Sequence, residues 1–182
     1  QPDAFGLCPL ETCLEASSST RLASAGGRPV SDNWPYFNLE WGPEGLIVVV
    51  GWPGQWAIEF IRDDENGIWI RAGQERTRFK LLPGEEVRTP LIVLQFWEGR
   101  DWIEAQNIWR RWMTAHNMPR PGGKLPAPLA CGGSMRVLEE MTRADEQNQL
   151  QFIDRYLEER LEIDYWWMDA GWYPCGGDWH IT

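Results

Sequence analysis

The sequence predicts two architectures in series: an antiparallel β-sandwich, then a parallel β-α-β unit. Three observations predict this. Short apolar or alternating runs recur at roughly ten-residue spacing between Trp34 and Trp97, as in antiparallel sandwiches. The period then becomes helical after Asp101. Beyond a segment rich in proline and glycine, two almost wholly apolar runs flank a second helical pattern.

Residues 1–33 are polar and rich in small residues, with Ser17-Ser-Ser-Thr20 and Ala25-Gly-Gly27, and read as loop and ragged strands. From Trp34 the texture changes. Gly45-Leu-Ile-Val-Val-Val-Gly51 reads as a buried strand and Gln55-Trp-Ala-Ile-Glu-Phe-Ile61 as another. Asp63-Asp-Glu-Asn-Gly67 is a turn, with Asn-Gly expected to supply positive φ values. Gly67–Arg71 alternates, and so does Glu75–Leu82, so each is expected to be a strand. Pro83-Gly84 turns the chain again, and Val87–Trp97 reads as a long strand interrupted at Pro90, which suits an edge or a bulge.

Asp101-Trp-Ile-Glu104 has the form of a capping box, in which Asp101 accepts from the N3 amide and Glu104 reaches back. The helix should run to about Asn117, with Ala105, Trp109 and Trp112 as the stripe that pins it to the sheet. His116 in the last turn favours the helix dipole and needs no catalytic role. Pro119–Pro128 then holds four prolines and two glycines in ten residues, the composition of a linker. The domain reading is therefore 1–118 for the sandwich with its helix, 119–127 for the linker and 128–182 for the second unit.

In that unit Leu129–Ser134 reads as a buried strand, and Thr142 with Asp145 caps the next helix. Leu150, Ile153, Leu157 and Leu161 draw one apolar stripe on it. Ile163–Met168 has almost no polar alternation, as in a strand covered on both faces. A helical crossover makes the two strands parallel neighbours. Two strands make no stable sheet, so further βα units are expected to follow in the parent protein, and the second unit should expose apolar edges without them.

Composition narrows the function. The net charge of −10 opposes phosphate backbones and argues against nucleic acid. No run of about 18 apolar residues is present to span a membrane. The cysteines Cys8, Cys13, Cys131 and Cys175, with His116 and His180, show no zinc spacing, so no metal is expected, and they select no compartment. Thirteen tryptophans are mostly core, but indoles also stack on the apolar faces of sugar rings, which turns attention to carbohydrate.

The chemistry concentrates in Asp164-Tyr-Trp-Trp-Met-Asp-Ala-Gly-Trp-Tyr173. Asp169 is the first residue past the expected strand, and working groups of parallel α/β folds gather at carboxyl ends of strands. Sugar hydroxyls are suitable donors to such a carboxylate. The alternative is a structural one, with Asp169 capping the turn through the amides of Gly171 or Trp172. Ser134, at the end of the first strand, could line the neighbouring side of the pocket, but no base adjoins it and it is no nucleophile. Trp172 is a candidate pocket wall or a packing residue under the loop. Cys131 and Cys175 fall near the same mouth, where a disulfide between them is one option. Asp178, Trp179 and His180 take no assignment.

Trp166-Trp-Met-Asp-Ala-Gly-Trp-Tyr173 resembles the Asp-Asp-Gly-Trp motif on strand two of glycoside hydrolase family 36, the α-galactosidase and α-N-acetylgalactosaminidase group. Trp34-Pro-Tyr-Phe-Asn38, Gly51-Trp-Pro-Gly-Gln-Trp56, and Leu82-Pro-Gly-Glu85 with Arg88-Thr-Pro90 are similar to its N-terminal β-supersandwich, and Gln106-Asn-Ile-Trp-Arg110 to its connecting segment. The resemblance covers residues 34–182. It implies that 128–182 begins a (β/α)8 barrel with a sugar at its carboxyl face. It also implies retaining hydrolysis of a terminal α-linked galactose by two carboxylates about 5–5.5 Å apart, without cofactor or metal. Those acids belong to later barrel strands, around the fourth and sixth, so this chain is expected to be an inactive fragment containing no catalytic residue. Asp169, with Trp172 and Ser134, is then a substrate-binding group. The implied partner is a carbohydrate substrate, and a homo-oligomer of the full-length protein stays open.

Two departures lie where the sugar should rest. The second acid of the motif is Ala170 here, and Gly132-Gly-Ser-Met135 stands where the first strand often ends near a tryptophan. Both leave room for a 2-acetamido or amino sugar, and hence for an α-N-acetylgalactosaminidase or galactosaminidase. A non-catalytic carbohydrate-binding protein is the alternative from a different class.

Overall fold

The structure is a computed structural model that describes residues 10–134 and 144–180. It forms two compact units, Gln1–Met118 and Pro119–Thr182. The expectations for residues 1–9, and those at Met135 and Thr142, lie outside the described residues.

The first unit contains β1 (Ser18–Ala23), β2 (Tyr36–Trp41), β3 (Glu44–Gly51), β4 (Trp56–Arg62), β5 (Ile68–Gln74), β6 (Leu91–Glu98) and α1 (Trp102–Trp112). Two antiparallel sheets form, one in the order β1-β4-β5 and one in the order β2-β3-β6. They pack face to face through Leu46, Val48 and Val50 of β3 and Trp56, Ile58 and Phe60 of β4. The alternate residue Ile47 faces the other way and packs with Trp97 and Ala105 of α1. Period-two alternation thus covers both faces of β3, which explains its unbroken apolar sequence.

Two details fix this core. The Trp56 indole is fully buried and donates to the Pro29 carbonyl at 2.7 Å. Gly45 is required by close approach: a Cβ there would lie 2.4 Å from the Trp97 indole and from the Leu39 carbonyl. The space it leaves lets Trp97 Nε1 donate to Asn38 Oδ1 at 2.8 Å, which ties β6 to the 34–38 motif.

Several expectations are corrected. The alternating segment Glu75–Leu82 is not a strand; it lies between β5 and β6 without ladder partners, and Phe79 and Leu81 are exposed. Alternation marks a surface suited to a sheet, but pairing requires a neighbour. The 63–67 turn does not use positive φ at Asn66 or Gly67. Asp63 Oδ1 instead accepts from the amides of Glu65 and Gly67, and a Cβ on Gly67 would lie 2.1 Å from the same carboxylate. β6 begins after Pro90 rather than running through it. At α1, Asp101 accepts from the Glu104 amide as expected, but the Glu104 carboxylate accepts from the Arg100 amide, one residue before the cap. The helix then ends in a π turn over Met113–Asn117, with Trp112 stacked on Trp109.

The second unit contains β7 (Cys131–Gly133), α2 (Glu146–Glu158) and β8 (Tyr165–Trp167), with β7 and β8 parallel. Both strands are shorter than the apolar runs that predict them. The α2 cap is Asp145, in a reciprocal box with Asn148. At the other end Arg160 takes φ 56°, with its amide on the Leu157 carbonyl and that of Leu161 on the Tyr156 carbonyl. This is a Schellman closure with arginine where glycine is usual. The expected stripe is also corrected: Leu150, Leu157 and Leu161 are exposed. The strands meet the face carrying Gln149 and Tyr156 instead, through Trp166, whose Nε1 donates to Gln149 Oε1 at 3.0 Å.

Candidate functional site

The parallel register places the candidate residues. Cys131 pairs with Tyr165, Gly132 with Trp166 and Gly133 with Trp167. Ser134 follows Gly133 directly, and Asp169 lies two residues beyond Trp167, so both stand at the carboxyl end of the pair. β8 ends one residue earlier than the sequence suggests, which makes Asp169 a loop residue rather than the strand's immediate successor.

The faces of β8 divide its aromatics. Trp166 points to α2, where it meets Tyr156 edge-on at 5.8 Å. Gly132 fits closely on that face: a Cβ would lie 3.2 Å from the Trp166 ring and 3.1 Å from Ile163 Cδ1, so both would have to give by a few tenths of an ångström. Tyr165 and Trp167 have the opposite parity and are 60% and 66% exposed. Asp169 is exposed as well. The face away from α2 therefore presents Tyr165 and Trp167, with a carboxylate just past the strand end.

Asp164 anchors the other end of the pair. Its Oδ2 accepts from the Ala130 amide at 2.8 Å, and its own amide donates to the Ala130 carbonyl at 2.8 Å. Sequence reasoning treated Asp164 only as part of the motif. The signal was an acid directly before an apolar strand.

Trp172 folds into the loop after β8. Its Nε1 donates to the Asp169 backbone carbonyl at 3.3 Å, leaving the carboxylate out of that contact. Its ring meets Tyr173 at 5.1 Å and Trp179 at 6.2 Å, and Tyr173 meets Trp179 at 5.0 Å. Gly171 at φ 87° turns the chain into this cluster, and Cys175 bridges to Asp178 across Gly177 at φ 93°. Trp179, unassigned from sequence, is thus a member of the cluster. Ala170 is 8% exposed, so its side chain is packed where the motif would put a second acid. Cys131 and Cys175 are free, exposed thiols, and the optional disulfide is not formed.

Among the described residues no cluster of histidine, cysteine, aspartate and glutamate could hold a metal ion, and no helix is long and apolar enough to cross a membrane. Comparison with protein-family models, with curated proteins and with solved structures finds no match for this chain.

Proposed function

We propose that this chain is the N-terminal part of a retaining glycoside hydrolase of the α-galactosidase type, and that its second unit begins a (β/α)8 barrel with Asp169 gripping the terminal sugar. The observation that carries this reading is the parallel pair itself. Its carboxyl end collects Ser134 and Asp169, and the face away from α2 is apolar and uncovered. Parallel strands are normally buried on both faces, so Tyr165 and Trp167 are suited to a barrel interior. In that architecture ligands lie at the carboxyl ends of the strands.

Asp169 would accept hydrogen bonds from sugar hydroxyls. Such bonds to a charged group are worth about 1.5–3 kcal/mol each. Ser134 would line the adjoining strand end, and Trp172 would hold the loop that carries Asp169 rather than form an open wall. Nucleophile and acid/base would come from later strands. The 182-residue chain should therefore turn over no aryl α-galactoside. In the complete enzyme, Asp169→Ala should raise KM for that substrate about tenfold with less effect on kcat. Unchanged kinetics would reduce Asp169 to a loop residue.

The buried Ala170 favours a second reading within the same chemistry. With alanine in place of the motif's second acid, one charged contact to the sugar is missing, which weakens the case for plain galactose and keeps a 2-acetamido or amino sugar as the alternative. Comparing kcat/KM for aryl α-galactoside and α-N-acetylgalactosaminide decides between them.

A further inference from the structure

Strand β6 is an edge of the β2-β3-β6 sheet. The Gly99 amide donates to the Pro43 carbonyl at 2.9 Å, just past the Glu44–Glu98 pair that ends the ladder. Opposed residues of an antiparallel ladder alternately exchange two hydrogen bonds or none. Counting back from Gly99, the residues Leu91, Val93, Gln95 and Trp97 direct their backbone groups at β3. Ile92, Leu94, Phe96 and Glu98 direct theirs away from it, and among the described residues no loop backbone bonds to them.

The side chains of this second set are open too. Ile92, Leu94 and Phe96 lie opposite Val50, Val48 and Leu46, on the face that meets the other sheet. Ile92 reaches that core, but Leu94 is 55% and Phe96 72% exposed. The β1-β4-β5 layer therefore stops short of β6. A long apolar edge with free amides and carbonyls is a template for another strand.

The charges around β6 select which strand fits. Glu86 and Arg88 precede it, Glu98 ends it and Arg100 follows. Glu86, Arg88 and Glu98 are exposed and make no ion pair among the described residues. Arg100 touches Glu104 at 3.4 Å, with 89% of its side chain exposed. Let two copies of β6 run antiparallel about a twofold axis at Val93. Outward-directed Ile92 then meets outward-directed Leu94 of the second copy, and Phe96 meets the Pro90 ring. In the same register Glu98 faces Arg88 of the second copy, and Arg100 faces its Glu86. The neighbouring in-phase registers oppose Arg100 to Arg88 in one direction and Glu98 to Glu86 in the other. Like charges directly opposite are destabilising.

We infer that β6 is a homodimer interface, joining β6 of a second copy in this register. The result is one continuous sheet in the order β2-β3-β6-β6-β3-β2. Hydrogen bonds of the free edge and the cover given to Leu94 and Phe96 hold it, and the ion pairs set its register. The contact uses the same patch on both copies, so it closes at two chains. It belongs to the first unit alone and is independent of the hydrolase reading.

The test is sedimentation velocity of the 182-residue chain at up to about 200 µM, since an interface of one strand pair is small and binds in the micromolar range. The chain should pass from monomer to dimer across that range. Leu94→Lys, a charge on the edge, should weaken the dimer at least about tenfold. Arg88→Glu and Glu98→Arg should each weaken it about fivefold, and the double variant should restore it to within about twofold. Circular dichroism checks that each variant folds; should Leu94→Lys unfold, the charge series alone decides. A chain that stays monomeric would overturn the inference. So would a dimer with unchanged Kd in the β6 variants, or a double charge variant as weak as the single ones.

Discussion

The strands β3 and β8 are both apolar and meet different fates. β3 has a sheet on one face and a helix on the other, and Ile47, Val48 and Val50 are at most 1% exposed. β7–β8 has α2 on one face through Gln149, Tyr156 and Trp166, while Tyr165 and Trp167 stand in the open on the other. The exposed leucines of α2 repeat the pattern. An apolar run records how many layers a strand is built for. The first unit supplies both layers, and the second supplies one.

The sharpest way to break this comparison is one tryptophan deletion in each unit. Trp56→Ala empties a fully buried site and strands the Pro29 carbonyl, and should cost about 3–5 kcal/mol. Trp167→Ala should cost within about 0.5 kcal/mol, because its ring is already exposed. Urea unfolding followed by circular dichroism measures both. Equal losses would mean that the open face of β8 is covered after all.

Gln149→Ala sharpens the comparison inside the second unit. It removes the acceptor of the Trp166 indole, the polar tie between α2 and β8. The loss should be about 1–2 kcal/mol, read as faster hydrogen exchange throughout α2.

These two units were unequally legible in the sequence. Runs at 45–51 and 55–61 gave β3 and β4 because they are long and lie in the core, where periodicity and burial agree. The chain of prolines at 119–128 coincides with the division at Met118. The Leu150–Leu161 stripe misled because periodicity finds an apolar face without saying which neighbour it meets. β2 was unread because Tyr36–Trp41 mixes Asn38, whose amide oxygen serves Trp97, into its apolar positions. At the site, the strand-end position of Asp169 was readable from the motif. The parity that sets Trp167 apart from Trp166, and the cluster of Trp172 with Trp179, required coordinates.

Smaller effects test local geometry. Arg160→Gly should stabilise by about 0.5–1 kcal/mol, since arginine holds the left-handed position at the end of α2 against its preference. A drop in Tm would show that the arginine side chain contributes more than its backbone costs. Tyr36→Phe should raise stability by about 1 kcal/mol or less. The Tyr36 hydroxyl is buried with no hydrogen-bond partner among the described residues, and the same burial raises its pKa. Destabilisation of that variant would reveal a partner for the hydroxyl.

The most direct test of the central claim is the DNA sequence past the codon for Thr182. The account predicts that the frame continues through about six further βα units, with carboxylates ending roughly the fourth and sixth strands of the barrel. Those units would cover Tyr165 and Trp167. A stop codon, or later strands without those acids, would contradict it and leave Asp169 as part of a binding protein.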